Sequence, residues 1–188
     1  MGRLAAFIFI TLDGYFEGPE KGDIRWHRHG PEENAFAIES LKAGSTLLFG
    51  RTTYDMMAGY WPTPMAVKND PIVAEGMNTA EKIVFSRTLD KAAWSRTRVV
   101  KGDLGEEIRK LKAATGKGMT LMGSGSILTQ LAEQGLIDEY QIMVDPVVLG
   151  AGTKIFGALA HKLDLALKSA RTFKSGVVLL SYEPRAAA

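Results

Sequence analysis

Three short segments carry residue types suited to holding phosphate. The first is Met119-Thr120-Leu121-Met122-Gly123-Ser124-Gly125-Ser126-Ile127-Leu128, where an apolar strand pattern runs into Gly-Ser-Gly-Ser and then a helical pattern. Glycines there let the backbone approach a ligand. The free N–H groups of a helix start, at the positive end of its dipole, favour phosphate or pyrophosphate. The spacing is neither G-x-G-x-x-G nor a P-loop, since no lysine follows the second glycine. A tight strand–helix turn needs the same glycines, so this segment alone leaves both readings open.

The second segment is Leu47-Leu48-Phe49-Gly50-Arg51-Thr52-Thr53-Tyr54, and the third is Ile83-Val84-Phe85-Ser86-Arg87-Thr88. Each reads as a buried strand ending in hydroxyls and a guanidinium. A guanidinium bonds phosphate bidentately, and a hydroxyl caps a helix or donates to an anion. Taken alone, the second equally describes a helix start with one surface arginine. In a doubly wound sheet, ligands gather at the carboxyl ends of the strands. One ligand with several phosphates accounts for three such ends more economically than three anion sites. Two arginines beyond a pyrophosphate cradle suit an extra phosphate, such as the 2′-phosphate of NADP.

Other residues are candidates on weaker grounds. Asp13 directly follows the first strand and is the leading choice for a catalytic group beside a substrate, although Asp13-Gly14 is also an ordinary turn pair. Trp26, Tyr54 and Trp61 could wall a pocket for a flat substrate, or simply pack. His27 and His29 form an H-x-H whose side chains would share one face of a strand. No third ligand at suitable spacing accompanies them, so no metal site is expected.

Composition removes several classes. With no cysteine among 188 residues, zinc ribbons, iron–sulfur clusters, disulfide scaffolds and thiol nucleophiles are excluded. The 23 basic and 21 acidic residues nearly balance, and no run of five like charges occurs, so neither nucleic acid nor a membrane surface is an expected partner. The apolar run Leu4–Ile10 is too short to span a bilayer and reads as a first buried strand, with the protein expected in the cytoplasm.

The elements that must position these residues are legible as an alternation. Strand patterns at Leu4–Ile10, Thr46–Phe49, Lys82–Phe85, Arg98–Val100, Met119–Met122, Glu139–Val144 and Val177–Tyr182 mostly lack polar alternation, as strands buried on both faces do. Helical spacing appears over Glu32–Ala43, after Asp103 with Glu106 in capping-box position, and over Ser126–Gln134. Trp61-Pro62-Thr63-Pro64 reads as a loop. From Asp138 onward strand patterns follow one another without a helix. The expected architecture is three-layer α/β/α: one domain over residues 1–185 with a mostly parallel central sheet and an antiparallel C-terminal strand, then a frayed tail at 186–188.

In order and spacing, five motifs together resemble the dihydrofolate-reductase-like family. They are Thr11-Leu12-Asp13-Gly14-Tyr15, Phe49-Gly50-Arg51-Thr52-Thr53-Tyr54, Phe85-Ser86-Arg87, Met122-Gly123-Ser124-Gly125-Ser126 and Asp145-Pro146-Val147-Val148-Leu149-Gly150-Ala151-Gly152. The specific likeness is to stand-alone relatives of the reductase domain of the riboflavin-biosynthesis deaminase–reductase. That resemblance implies an NADPH-dependent reductase of a small heterocyclic or carbonyl substrate, commonly a homodimer. By the same resemblance Gly50, Arg51, Thr52 and Thr53 hold the adenosine phosphates. Ser86 and Arg87 read the 2′-phosphate, and Gly123, Ser124, Gly125, Ser126 and Ile127 cradle the pyrophosphate. The deaminase half's zinc motif is absent. Where dihydrofolate reductases carry an acidic residue on their first helix, this chain offers Asn34, flanked by Glu32 and Glu33. The alternative is a nucleotide-binding module with the same fold and no productive substrate site.

Overall fold

The computed structural model describes residues 1–114 and 116–185; the expected tail at 186–188 lies outside them. In chain order the elements are β1 (Leu4–Thr11), β2 (Tyr15–Glu17), α1 (Pro31–Lys42), β3 (Thr46–Gly50), α2 (Arg51–Tyr60), α3 (Pro64–Asn69), α4 (Pro71–Thr79), β4 (Lys82–Phe85) and β5 (Thr97–Val100). There follow α5 (Leu104–Ala114), β6 (Met119–Met122), α6 (Gly125–Glu133), β7 (Glu139–Asp145), β8 (Thr153–Lys154), β9 (Leu165–Thr172) and β10 (Val178–Pro184).

The main sheet has the order β5-β4-β3-β6-β1-β7-β10-β9. Every pairing from β5 to β7 is parallel, and β10 runs antiparallel to both of its neighbours. The parallel sheet with an antiparallel end is the architecture expected from the alternation of patterns. Parallel neighbours require crossovers, and the helices that supply them cover both faces. Leu48, Leu121 and Ile8 pack under Ile108, Leu128 and Leu131 of α5 and α6. On the opposite face Leu47, Phe49 and Val84 pack against Tyr54, Val73 and Met77 of α2 and α4. Adjacent residues of β3 thus serve opposite layers, which is why it reads as a continuous apolar run.

The segment around the prolines is not all loop. Pro64 and Pro71 each occupy the first turn of a helix, where the missing N–H costs nothing, and Thr63 caps α3 by accepting from the Ala66 N–H at 3.2 Å. Two short helices therefore lie where prolines suggested irregular chain. The capping at Asp103 is as expected: its carboxylate accepts from the Glu106 N–H at 2.9 Å. Strands β2 and β8 form a separate two-stranded ribbon that the sequence pattern did not signal.

Candidate active site

Strands β4, β3 and β6 are consecutive in the sheet and parallel, so the residues that follow them emerge along one edge. Gly50 is in register with Phe85, which places Ser86 and Arg87 beside the start of α2. The three segments singled out by residue type are thus neighbours in space.

Ser124 joins two of them. Its hydroxyl accepts from the Gly50 N–H at 2.7 Å and donates to Thr53 Oγ1 at 2.9 Å. Reaching that position requires an uncommon backbone. Gly123 and Ser124 both have positive φ, 55° and 60°, and the Gly123 N–H donates to the Phe7 carbonyl at 2.8 Å. Gly125 must be small for a different reason: a Cβ there would run into the ring of Phe16. Helices α2 and α6 both begin here, behind Gly50 and Ser124, and neither start carries a side-chain cap. Two sets of helix-start N–H groups, both at positive dipole ends, are left for a ligand. Gly50, Arg51, Thr52 and Thr53, together with Gly123, Ser124, Gly125, Ser126 and Ile127, line a cavity of about 1450 Å³. The Arg51 guanidinium is held by Asp55 at 2.7 Å on the surface of α2.

Ser86 and Arg87 lie on the same edge but outside the cavity lining. Ser86 Oγ accepts from the N–H groups of Thr88 and Leu89, at 3.3 and 3.1 Å, as a turn cap. Arg87 is exposed and makes no ion pair among the described residues.

Asp13 is placed differently from its expected role. Its carboxylate accepts from the Thr11 hydroxyl at 2.6 Å and from the N–H groups of Leu149 and Gly150 at 3.2 and 2.8 Å. It does not line the cavity. These donors, the Thr11 hydroxyl foremost, hold its pKa below the ordinary carboxylate value. Asp13 pins the loop after β7 as an ionised acceptor, the turn role that its pairing with Gly14 also allowed. Of the three aromatics, Trp61 lines the cavity and Trp26 does not. Tyr54 belongs to the core, its hydroxyl accepting from the Trp94 N–H at 3.1 Å.

The cavity extends between α1 and the sheet, where Glu33, named in the sequence only as a neighbour of Asn34, lines it, and where His27 pairs with Asp145, a partner the sequence did not signal. Glu33 is only 4% exposed, lines the cavity and accepts from the Ser175 hydroxyl. Asn34 also lines it, tied to Asp70 at 2.9 Å, whereas Glu32 accepts the Lys174 N–H outside it. Glu33 stands one residue before the position counted back from Gly50. The second feature is His27, whose Nδ1 lies 2.7 Å from Asp145 Oδ2 with both side chains buried. Asp145 Oδ1 accepts the Arg28 N–H at 2.8 Å. The His27 ring stacks on Phe9, centroids 3.5 Å apart, with His29 edge-on at 4.4 Å. Burial, and then the neighbouring His27, push the pKa of His29 below its usual value. Residues 24–30 form no strand, and no group of three potential metal ligands occurs among the described residues.

A parallel sheet with helix starts converging on one cavity edge is the arrangement in which open α/β folds bind ligands, at the carboxyl ends of the strands. The chain belongs to the family of the RibD C-terminal domain, whose model matches residues 3–179. It is 31% identical over 180 residues to the uncharacterized protein YyaP of Bacillus subtilis, covering 96% of this chain and 94% of that one. Among solved structures it resembles a Shewanella protein provisionally assigned to riboflavin biosynthesis (TM-score 0.75, 22% identity, 98% and 99% of the two chains). It also resembles a Thermotoga maritima deaminase/5-amino-6-(5-phosphoribosylamino)uracil reductase (0.67, 14%, 98% of this chain and 57% of that one). Enterococcus faecalis dihydrofolate reductase, solved with NADP(H), aligns at 0.66 with 19% identity over 98% of each chain. The dihydrofolate-reductase-like fold expected from the motifs is the fold of this protein.

Proposed function

We propose that this protein is an NADPH-dependent reductase of a small heterocyclic or carbonyl compound. The observation that carries the reading is the pair of uncapped helix starts, α2 and α6, locked together by Ser124 at the edge of one cavity. Its donor chemistry fits a pyrophosphate: backbone N–H groups at two positive dipole ends, with hydroxyls from Thr52, Thr53 and Ser126 beside them. In this reading Arg51, and Ser86 with Arg87 on the neighbouring strand end, take an additional phosphate on the adenosine side. When bound, the dihydronicotinamide supplies a hydride. The protein's share is to hold it against the acceptor, which the cavity between α1 and the sheet accommodates beside Glu33 and Trp61.

The resemblance further suggests a homodimer acting in the cytoplasm, which light scattering and fractionation address. Turnover is tested by following NADPH oxidation with three acceptors: dihydrofolate, riboflavin, and 5-amino-6-(5-phosphoribosylamino)uracil. Oxidation with one of them supports the reading. NADPH binding without oxidation by any of them favours the nucleotide-binding module instead.

A further inference from the structure

The reductase reading leaves open which group supplies the proton that must accompany the hydride. Asp13, the first candidate, is an acceptor already taken by three donors. Tyr54 is committed to the core, and the Glu33 carboxylate accepts from Ser175. The His27–Asp145 pair belongs to neither the phosphate cradle nor the packing of the layers.

We propose that His27 is the proton donor of this cavity, with Asp145 as the residue that positions it. The proposal rests on the reductase reading above. Asp145 is 0% exposed, and its second oxygen is occupied by the Arg28 N–H. A carboxylate so enclosed has one role for its first oxygen, to receive Nδ1–H of His27. The imidazole tautomer and orientation are thereby fixed, as in other carboxylate-held histidines. Stacking on Phe9 clamps the ring from one face. Nε2 is then the free nitrogen. No bond to Nε2 occurs among the described residues, and His27 lines the cavity.

His27 lines the same cavity as Gly50–Thr53 and Gly123–Ile127. Phe9, under His27, is two residues along β1 from Phe7, whose carbonyl holds Gly123. In the proposed step a hydride adds to the carbon of a C=N or C=O bond. The π electron pair moves to the heteroatom, which takes the proton from Nε2. A dihydronicotinamide held by the cradle would supply the hydride and its two electrons, and His27 is left neutral with Nδ1–H still on Asp145. His29, edge-on at 4.4 Å, is the neighbouring exchange partner for reprotonation. The charged groups facing His29 are Asp70, Asp145 and Glu33, and the one bonded to His27 is Asp145, while the Arg28 guanidinium is engaged at the Ser175 carbonyl.

Two readouts on the full chain test this. The first is nitrogen-15 NMR of the histidine side chains without ligand, with His29 and His161 assigned by substitution. His27 should show a slowly exchanging Nδ1–H that Asp145→Asn abolishes. An unprotonated Nδ1, or one whose exchange Asp145→Asn leaves unchanged, overturns the proposal. The second is kinetic. His27→Gln should lower kcat for NADPH oxidation about 10²–10⁴-fold and flatten its pH profile, with NADPH affinity held within about threefold. Asp145→Asn should show a smaller loss with a shifted profile. If His27→Gln does not fold, the neutral double variant His27→Gln/Asp145→Asn takes its place. Unchanged kcat and pH profile overturn the assignment while leaving the reductase reading intact. A wild-type protein that binds no NADPH, or oxidises it with none of the three acceptors, counts against both.

Discussion

The two halves of the carboxyl edge of the sheet are built on opposite principles. After β3 and β6 the helix starts carry no side-chain cap and backbone donors are left free. At β1 and β7 the acidic groups are consumed internally: Asp13 takes three donors from its own loops, and Asp145 is enclosed with His27. A site that must recognise an anion keeps its donors unpaired and tolerates the cost because water solvates them meanwhile. A site that must hold one group in one orientation closes its polar network, because a half-satisfied buried network is unstable. The first half is read by adding ligand, the second by removing a partner.

The largest effect is expected in the closed half. Asp145→Ala strands a buried imidazole and the Arg28 N–H, and should cost about 3–5 kcal/mol, measured by urea unfolding. A loss under about 1 kcal/mol would mean that the dyad is not a buried pair. In the open half, Gly125→Val pushes a side chain into Phe16 and should destabilise by about 1–3 kcal/mol, and NADPH binding should fall with it. Ser124→Ala removes the hydroxyl that bridges Gly50 and Thr53 and should cost about 1–2 kcal/mol, again by urea unfolding. Arg51→Ala and Arg87→Ala should leave stability within about 0.5 kcal/mol, since both side chains are largely exposed. Each should nevertheless weaken NADPH about tenfold, with little change for NADH.

The smallest effect is a pH dependence that separates the halves. Asp13 has a depressed pKa in the folded state, so its contribution is present above the ordinary carboxylate range and is lost as pH falls through the lowered value. Wild type should therefore lose stability on acidification more steeply than Asp13→Asn. Parallel curves would contradict the loop-pinning role.

The open half was legible because its chemistry is local. Gly50-Arg51-Thr52-Thr53 and Gly123-Ser124-Gly125-Ser126 each announce a strand end and a helix start within a few residues, and parallel pairing brings the two together. The closed half was not legible, because its partners are distant in sequence. His27 and Asp145 are 118 residues apart, and nothing beside either marks the other. Glu33 was one residue away from the counted position, a shift that only the orientation of α1 reveals. The short helices α3 and α4 were obscured by prolines, which begin helices as readily as they break them. Strand β9 carries mostly exposed residues, and its pairing with β10 fixed it where hydropathy gave little guidance.

The most direct test of the central claim is a calorimetric titration of the wild-type protein with NADPH and, separately, NADH. The arrangement of Arg51, Arg87 and the two helix starts predicts saturable one-site binding of NADPH, at least about tenfold tighter than NADH, equivalent to about 1.4 kcal/mol. Equal affinity for the two would contradict the 2′-phosphate assignment. Binding of neither would mean that the carboxyl edge of β3, β4 and β6 is not a dinucleotide site.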